Sequence, residues 1–311
     1  MKAAQIREYG EDVVEINTDV GVPDISEGKV IVKVHAAGVN PFDWKIAQGY
    51  VSKGKALTAP MTIGGDFTGI VVDVGEGVDC YKKGDVVYGS AIVLSGGSGA
   101  FAEYLTTRED LISHKPKNAN NIEAAALPLA GVSALDVITS KINLKKGQKI
   151  LIHGGSGGIG SMAIQISKHI GAYVATTARK DNTDYLKTLG ADEIIDYRNE
   201  KFEDKLHDYD AVFDTVGSDT YKRSFKVLKK GGMIVSMLEQ PDTELMGKYQ
   251  VNAVGQSTRI NSDDLKKLAE LYDLGVITVN IDRTFPLDRA GEALKYQREG
   301  SVKGKVVIKI D

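Results

Sequence analysis

Three glycines carry the plainest chemical signal in this chain. In KILIHGGSGGIG, residues 149–160, Gly155, Gly157 and Gly160 stand between a short apolar run and the apolar-periodic segment 159–170. A strand that turns through glycines into a helix is built to hold a diphosphate. The first glycine permits the tight turn, the second lets the backbone approach phosphate, and the third lets helix and strand pack closely. Ser156, Gly158 and Ile159 complete the turn and the helix start, where unpaired N–H groups and the helix dipole favour negative charge. The next strand end reads Thr176-Thr177-Ala178-Arg179-Lys180, with no acid before Asp181. An acid there would bond the adenosine ribose hydroxyls, whereas neutral and cationic groups suit a 2′-phosphate. Arg179 is therefore expected to stack on adenine or clamp that phosphate, and NADPH is the expected cofactor.

The other chemistry-bearing residues are sparse. Cys80 is the only cysteine, which excludes an intramolecular disulfide and any multi-cysteine zinc site. It lies in GVDCYKKGD with no histidine close in sequence, and reads as a passive thiol near a turn. His35, His114, His153, His169 and His207 lack the i, i+4 spacing of a helical metal site. Of these only His153, just before the glycine turn, is expected near cofactor.

The frame for these residues is legible from periodicity. Residues 29–35, 69–74, 85–88 and 101–107 are short β-branched or alternating runs bounded by Gly, Asp and Asn, which predicts a barrel-like domain of antiparallel strands. Helical patterns at 121–127 and 131–142 lead into a β-α-β rhythm. Its strands are expected at 149–153, 173–177, 193–196, 211–215, 233–237 and 250–254, with helices at 159–170, 183–189 and 218–229. Such alternation specifies a doubly wound parallel sheet. A further helix follows at 262–274. The tail then breaks the pattern, with an extended run at 279–283, a helix at 287–299 and an alternating run at 304–310. No helical repeat follows that last run, so it is expected to rejoin the N-terminal β region. The α/β domain, 119–255, would then be inserted between 1–118 and 256–311.

Bulk properties narrow the partners. The 311 residues are 42% hydrophobic and 26% charged, with a formal net charge of -3. No Lys/Arg block calls for nucleic acid or an anionic membrane. No signal pattern and no apolar run approaching about 18 residues is present, so a cytoplasmic location is expected. The mixed apolar run 250–254 would leave a sheet edge in need of cover, which points to a homodimer.

An ordered series of motifs then resembles the medium-chain dehydrogenase/reductase superfamily over essentially the whole chain. It comprises GVNPFDWKIAQG (38–49), IGGDFTGIVVDVG (63–75), GDVVYG (84–89), GAFAEYL (99–105), ALPLAGVSAL (126–135), HGGSGGIG, LGADEIIDYR (189–198) and the closing FPLDRAGEALKYQREGSVKGKVVI. The chain is similar above all to the zinc-free quinone oxidoreductase branch, with the enone and alkenal reductases close behind. The resemblance implies a GroES-like catalytic domain split around a Rossmann domain. It also implies cofactor contacts at Ser133, Tyr197, Val216, Met237 and Leu238. Zinc-dependent relatives carry Gly-His-Glu where this chain has Gly64-Gly65-Asp66, and a cysteine near Asn40; here the ligands are missing, so no metal is expected.

Without a metal, a substrate carbonyl must be polarised by hydrogen bonds. The resemblance places Asn40, Asp43 and Lys45 in the catalytic segment. Lys45 would donate to a carbonyl or to cofactor ribose, and Asn40 would orient water or substrate. Asp43 follows Pro41 and serves equally well as a helix cap. Trp44 and Tyr50 would line a flat aromatic pocket or pack in the core. The expected activity is hydride transfer from NADPH to a quinone or an α,β-unsaturated carbonyl. The alternative is a non-catalytic NADPH-binding sensor or structural protein of the same fold.

Overall fold

The computed structural model describes every residue of the chain except Lys53, Lys55 and Ser301. The strands in the N-terminal part are β1 (Ala3–Ile6), β2 (Glu15–Asn17), β3 (Lys29–Val39), β4 (Met61–Thr62), β5 (Asp66–Val74), β6 (Val86–Ser90), β7 (Tyr104–Arg108) and β8 (Ile112–His114). Helices α1 (Pro41–Ala47) and α2 (Asn121–Ala125) lie among and after them, followed by α3 (Pro128–Asp136). The α/β part runs β9 (Lys149–His153), α4 (Gly158–Ile170), β10 (Tyr173–Ala178), α5 (Thr183–Thr188), β11 (Glu193–Asp196), β12 (Tyr209–Asp214), α6 (Ser218–Ser224), β13 (Leu228–Ser236), α7 (Thr243–Tyr249) and β14 (Asn252–Gly255). The chain closes with α8 (Ser262–Asp273), β15 (Ile281–Pro286), α9 (Ala290–Arg298) and β16 (Lys305–Lys309).

Two compact units result. Met1–Leu129, Ile260–Gly275 and Val279–Asp311 make one, and Ala130–Arg259 with Val276–Thr278 make the other. The joints thus fall later than the expected 118/119 and 255/256. Helix α2 belongs with the first unit because Ala125 and Ala126 pack with Ala36 of β3 and Val307 of β16. Residues 276–278 belong with the second because Gln165 of α4 bonds the backbone and hydroxyl of Thr278.

In the first unit the main sheet runs β15-β16-β3-β5-β6-β8, with β7 also on β3, and a small sheet runs β2-β1-β4. The closing strand does return: β16 pairs antiparallel with β3, Val306 opposite Val39. Strand β3 continues four residues past the expected end, through Ala36-Ala37-Gly38-Val39, because β16 and β5 both pair with that end. Small side chains hid this extension, since they carry little alternation. Strands β1, β2, β4 and β8 were not expected either, being too short for a periodic signal.

In the second unit all six strands are parallel, in the order β11-β10-β9-β12-β13-β14. That is the doubly wound order, reversing beside β9. Two helical expectations need correction. The segment 218–229 is helical only to Ser224; a tight turn follows at Phe225–Val227, and Lys229 lies in β13. In 131–142 the α-helix ends at Asp136, and Val137–Lys141 widens into a π-helical turn. The Thr139 hydroxyl there donates back to the Leu135 carbonyl at 2.8 Å, a local competitor of the kind that distorts helix ends. Among the described residues no helix is long and apolar enough to cross a membrane.

Candidate functional site

The glycine turn ends β9 and opens α4, and its geometry divides the work differently from the sequence reading. The left-handed residue is Gly154, at φ 70°, and not Gly155. A Cβ on Gly155 would lie 2.0 Å from the Thr176 hydroxyl of β10, so this glycine serves strand packing. A Cβ on Gly160 would lie 2.3 Å from the Gly154 carbonyl, which is the close helix approach expected of it. Over Gly157 the nearest atom is that same carbonyl at 3.4 Å, leaving the backbone approachable. Helix α4 has Gly157 as its N-cap, no side-chain cap and no acid in its first turn, so its first N–H groups are not spent on its own residues. These residues fit a diphosphate.

We expect Gly160→Ala to destabilise the protein by about 1–3 kcal/mol, because backbone must shift, and Gly157→Ala to fold normally. Denaturant titration of both variants checks this. Equal stability would show that the close approach relaxes freely.

The neighbouring strand ends carry the other nucleotide candidates. Arg179 follows β10, and Tyr197, 55% exposed, donates its N–H to the Ala178 carbonyl at 3.3 Å, so the two stand side by side. Val216 and Leu238, about half exposed, project from the turns after β12 and β13, with Met237 beside them. Both turns hang on Asp214, which the sequence did not single out. Its carboxylate accepts the N–H groups of Val216 and Gly217, each at 3.0 Å, and the Ser236 hydroxyl at 2.6 Å. Ser133 is fully buried on α3, with its hydroxyl 2.5 Å from that of Thr258.

Both ring nitrogens of His153 are engaged by its own unit. Its ring is fully buried, 2.9 Å from the Thr177 hydroxyl and 2.8 Å from that of Ser224, and edge-on to Phe202. Burial pushes it down to about 3, so it is neutral and ties β9 to β10 and α6. Cys80 is exposed.

In the first unit, the candidates around α1 fall into two groups. Asn40 and Asp43 are buried, 3% and 1% exposed, within a network completed by Asp66 and Lys305. The Asn40 N–H donates to Asp43 Oδ2 at 2.7 Å, so Asp43 does cap the helix start. The Asn40 side chain turns the other way. Its Nδ2 donates to Asp66 Oδ2 at 2.9 Å, and its Oδ1 accepts from Lys305 Nζ. Lys305 also donates to the Val39 carbonyl at 3.1 Å, and the Leu129 N–H donates to Asp66 at 3.0 Å. Lys45 and Tyr50 stand outside this network. Tyr50 is 72% exposed and meets Trp44 edge-on, 6.2 Å between centroids, while the Trp44 Nε1 donates to Gln297 at 2.7 Å. The two rings are thus perpendicular and do not form a flat slot. Beyond Tyr50 the chain borders a cavity of about 660 Å³, lined by Tyr9, Val51, Leu57, Met61, Val93 and Leu94 among others. That is the size of a small-molecule site.

Full ionisation of two carboxylates and one ammonium would bury a net negative charge. Burial and the neighbouring Asp66 accordingly push Asp43 up to about 7, with its accepted N–H bonds and Lys305 opposing. The native state therefore holds a proton that the unfolded chain releases near 3.8, and stability falls as pH rises from there towards 7. We expect Asp43→Asn to lose this dependence, so that its melting temperature gains on the unmodified protein across that window. Parallel melting curves from acid to neutral pH would expose the idea as wrong.

Asp66 and Lys305 are the members of this network that sequence reasoning missed. Asp66 sits in the quoted motif but drew no role, and Lys305 drew none within the alternating run 304–310. Zinc does not fit here: Gly65 offers no donor, and Asn40 already donates to both carboxylates. Among the described residues no group of three or more His, Cys, Asp and Glu side chains could hold a metal ion.

Residues 26–117 match the alcohol dehydrogenase GroES-like domain, and residues 189–308 the zinc-binding dehydrogenase family. The chain is 39% identical over 99% of its length to 79% of the 2-methylene-furan-3-one reductase of Solanum lycopersicum. It is 37% identical, with the same coverage, to the chloroplastic NADPH-dependent alkenal/one oxidoreductase of Arabidopsis thaliana. Among solved structures it superposes on the quinone oxidoreductase of Coxiella burnetii with a TM-score of 0.93, at 34% identity, over 100% of this chain and 99% of that one.

Proposed function

The chain belongs to the zinc-free quinone oxidoreductase branch of the medium-chain dehydrogenase/reductase superfamily, and from that premise we propose that it reduces a quinone or an α,β-unsaturated carbonyl with NADPH. The observation that carries the reading is the network of Asn40, Asp43, Asp66 and Lys305, whose polar groups bond one another. A glycine stands where a ligand is needed, and a lysine ammonium bonds the Asn40 amide, which in turn donates to Asp66. An acceptor polarised only by hydrogen bonds must spread incoming charge itself, and conjugated carbonyls and quinones do so.

When bound, NADPH would supply the hydride. The turn at Gly157 and the start of α4 would hold its diphosphate, Arg179 and Tyr197 its adenosine end, and Val216, Met237 and Leu238 an apolar face. Lys45 would donate to the acceptor oxygen as charge develops there, and solvent can deliver the final proton. Asn40 acts through its bonds to Asp66 and Lys305. The cavity beyond Tyr50 suits the apolar part of an acceptor. A cytosolic setting and a soluble small-molecule substrate complete the reading.

The test is NADPH oxidation by the purified protein against a panel of enones and quinones, with and without chelator. Turnover insensitive to chelator supports the reading. NADPH binding with no turnover on any acceptor would favour the sensor alternative and overturn it.

The reading includes a homodimer through β14, which is an edge strand of its sheet. We expect light scattering at micromolar concentration to give twice the chain mass, and a monomer mass would rule this out.

A further inference from the structure

We infer that Lys305 is a positioning residue for the reduction: an internal cation that holds the entry to α1, and so sets where Lys45 stands. The inference rests on the role given to Lys45 above. Three adjacent strands create the arrangement. The pairing of β16 with β3 puts Val306 opposite Val39, and the pairing of β3 with β5 puts Gly38 opposite Asp66. Lys305, Asn40 and Asp66 therefore meet at one end of the sheet, although 265 residues separate Lys305 from Asn40. The ammonium, 4% exposed, bonds both the Val39 carbonyl and the Asn40 side chain, the last two groups before α1 begins. Asn40 passes the constraint on in two directions, through Nδ2 to Asp66 and through its own N–H to Asp43 in the first turn of α1. Lys45 lies two residues further along the same seven-residue helix.

A buried ammonium is costly unless paired, and its desolvation is offset in part by the charges of Asp66 and Asp43 and by two carbonyl-type acceptors. Such a group has no conformational freedom left to lose. It acts on the far end of α1 as an outer-shell partner acts on a metal ligand, through fixed geometry.

Removing Lys305 alone would leave two carboxylates uncompensated, so the test removes base and acid together. The variant is Lys305→Met with Asp66→Asn, whose new amide oxygen still accepts from Asn40 and Leu129. Steady-state kinetics with NADPH and a short enone are measured for this pair, for Lys45→Met and for all three changes combined. We expect the pair to keep its KM for NADPH and lose about tenfold to a hundredfold in kcat. The triple variant should lose no more than Lys45→Met alone, because both act at one point.

Full turnover of the pair, or losses that multiply in the triple variant, would overturn the inference; either would mean that the network only balances charge. If the pair does not fold, Asn40→Ala, which deletes the acceptor and keeps the charges, enters the same cycle and is read the same way. Full activity of Lys45→Met by itself would sink the role assigned to Lys45 and this inference with it. Loss in Lys45→Met beside full activity of the pair would sink the inference alone.

Discussion

Lys45→Met is expected to lower turnover of an enone and of a quinone by about a hundredfold, with the KM for NADPH little changed. Removing one donor that contacts a developing oxyanion typically costs that much, whereas removing a group that only holds cofactor raises KM and spares kcat. The substitution keeps the length and apolar stem of the side chain, so helix packing beside Trp44 is preserved. Asn40→Ala should show a similar drop in kcat by a different route. Its amide is bonded to Asp66 and Lys305, so its loss frees the helix entry and leaves a buried ammonium with one acceptor fewer. Near-normal turnover in both variants would leave a site that works by holding its reactants in place.

A preference for NADPH over NADH is the second large effect expected, and Arg179→Ala should weaken NADPH binding by about tenfold to a hundredfold. A guanidinium on a dianionic phosphate makes a charge-assisted contact of roughly 1.5–3 kcal/mol. NADH affinity should hardly change, because the contact requires the 2′-phosphate. Fluorescence titration of both cofactors against both proteins decides it. Equal affinities in the unmodified protein would show that the strand end after β10 does not select.

Much of this was legible in the residues. The strands β9 and β11 fall where the sequence placed them, because each is a short apolar run cut off by turn residues, and the glycine turn announced itself by spacing. The helix α4 begins one residue earlier than its periodic pattern. Where the expectation slipped, a local signal was missing or was overridden. Gly155 and Gly154 are indistinguishable in sequence, and only the neighbouring Thr176 shows which one turns and which one packs. His153 looked poised beside a cofactor because it precedes the turn, yet its strand faces it inward, onto Ser224 of α6.

Residue types and spacing were enough for the parallel sheet with its glycine turn, the return of the last strand to the first domain, and the lack of zinc donors near Asn40 and Gly65. Each is a property of neighbours along the chain, where periodicity and residue type act directly. The contacts of Asp66 and Lys305 with Asn40 emerge from the fold alone. A strand's alternation tells which residues share a face, but not which strand will pair beside it. The register of β16 on β3 and of β3 on β5 is what brings a lysine and an aspartate from distant parts of the chain into a buried network around Asn40 and Asp43.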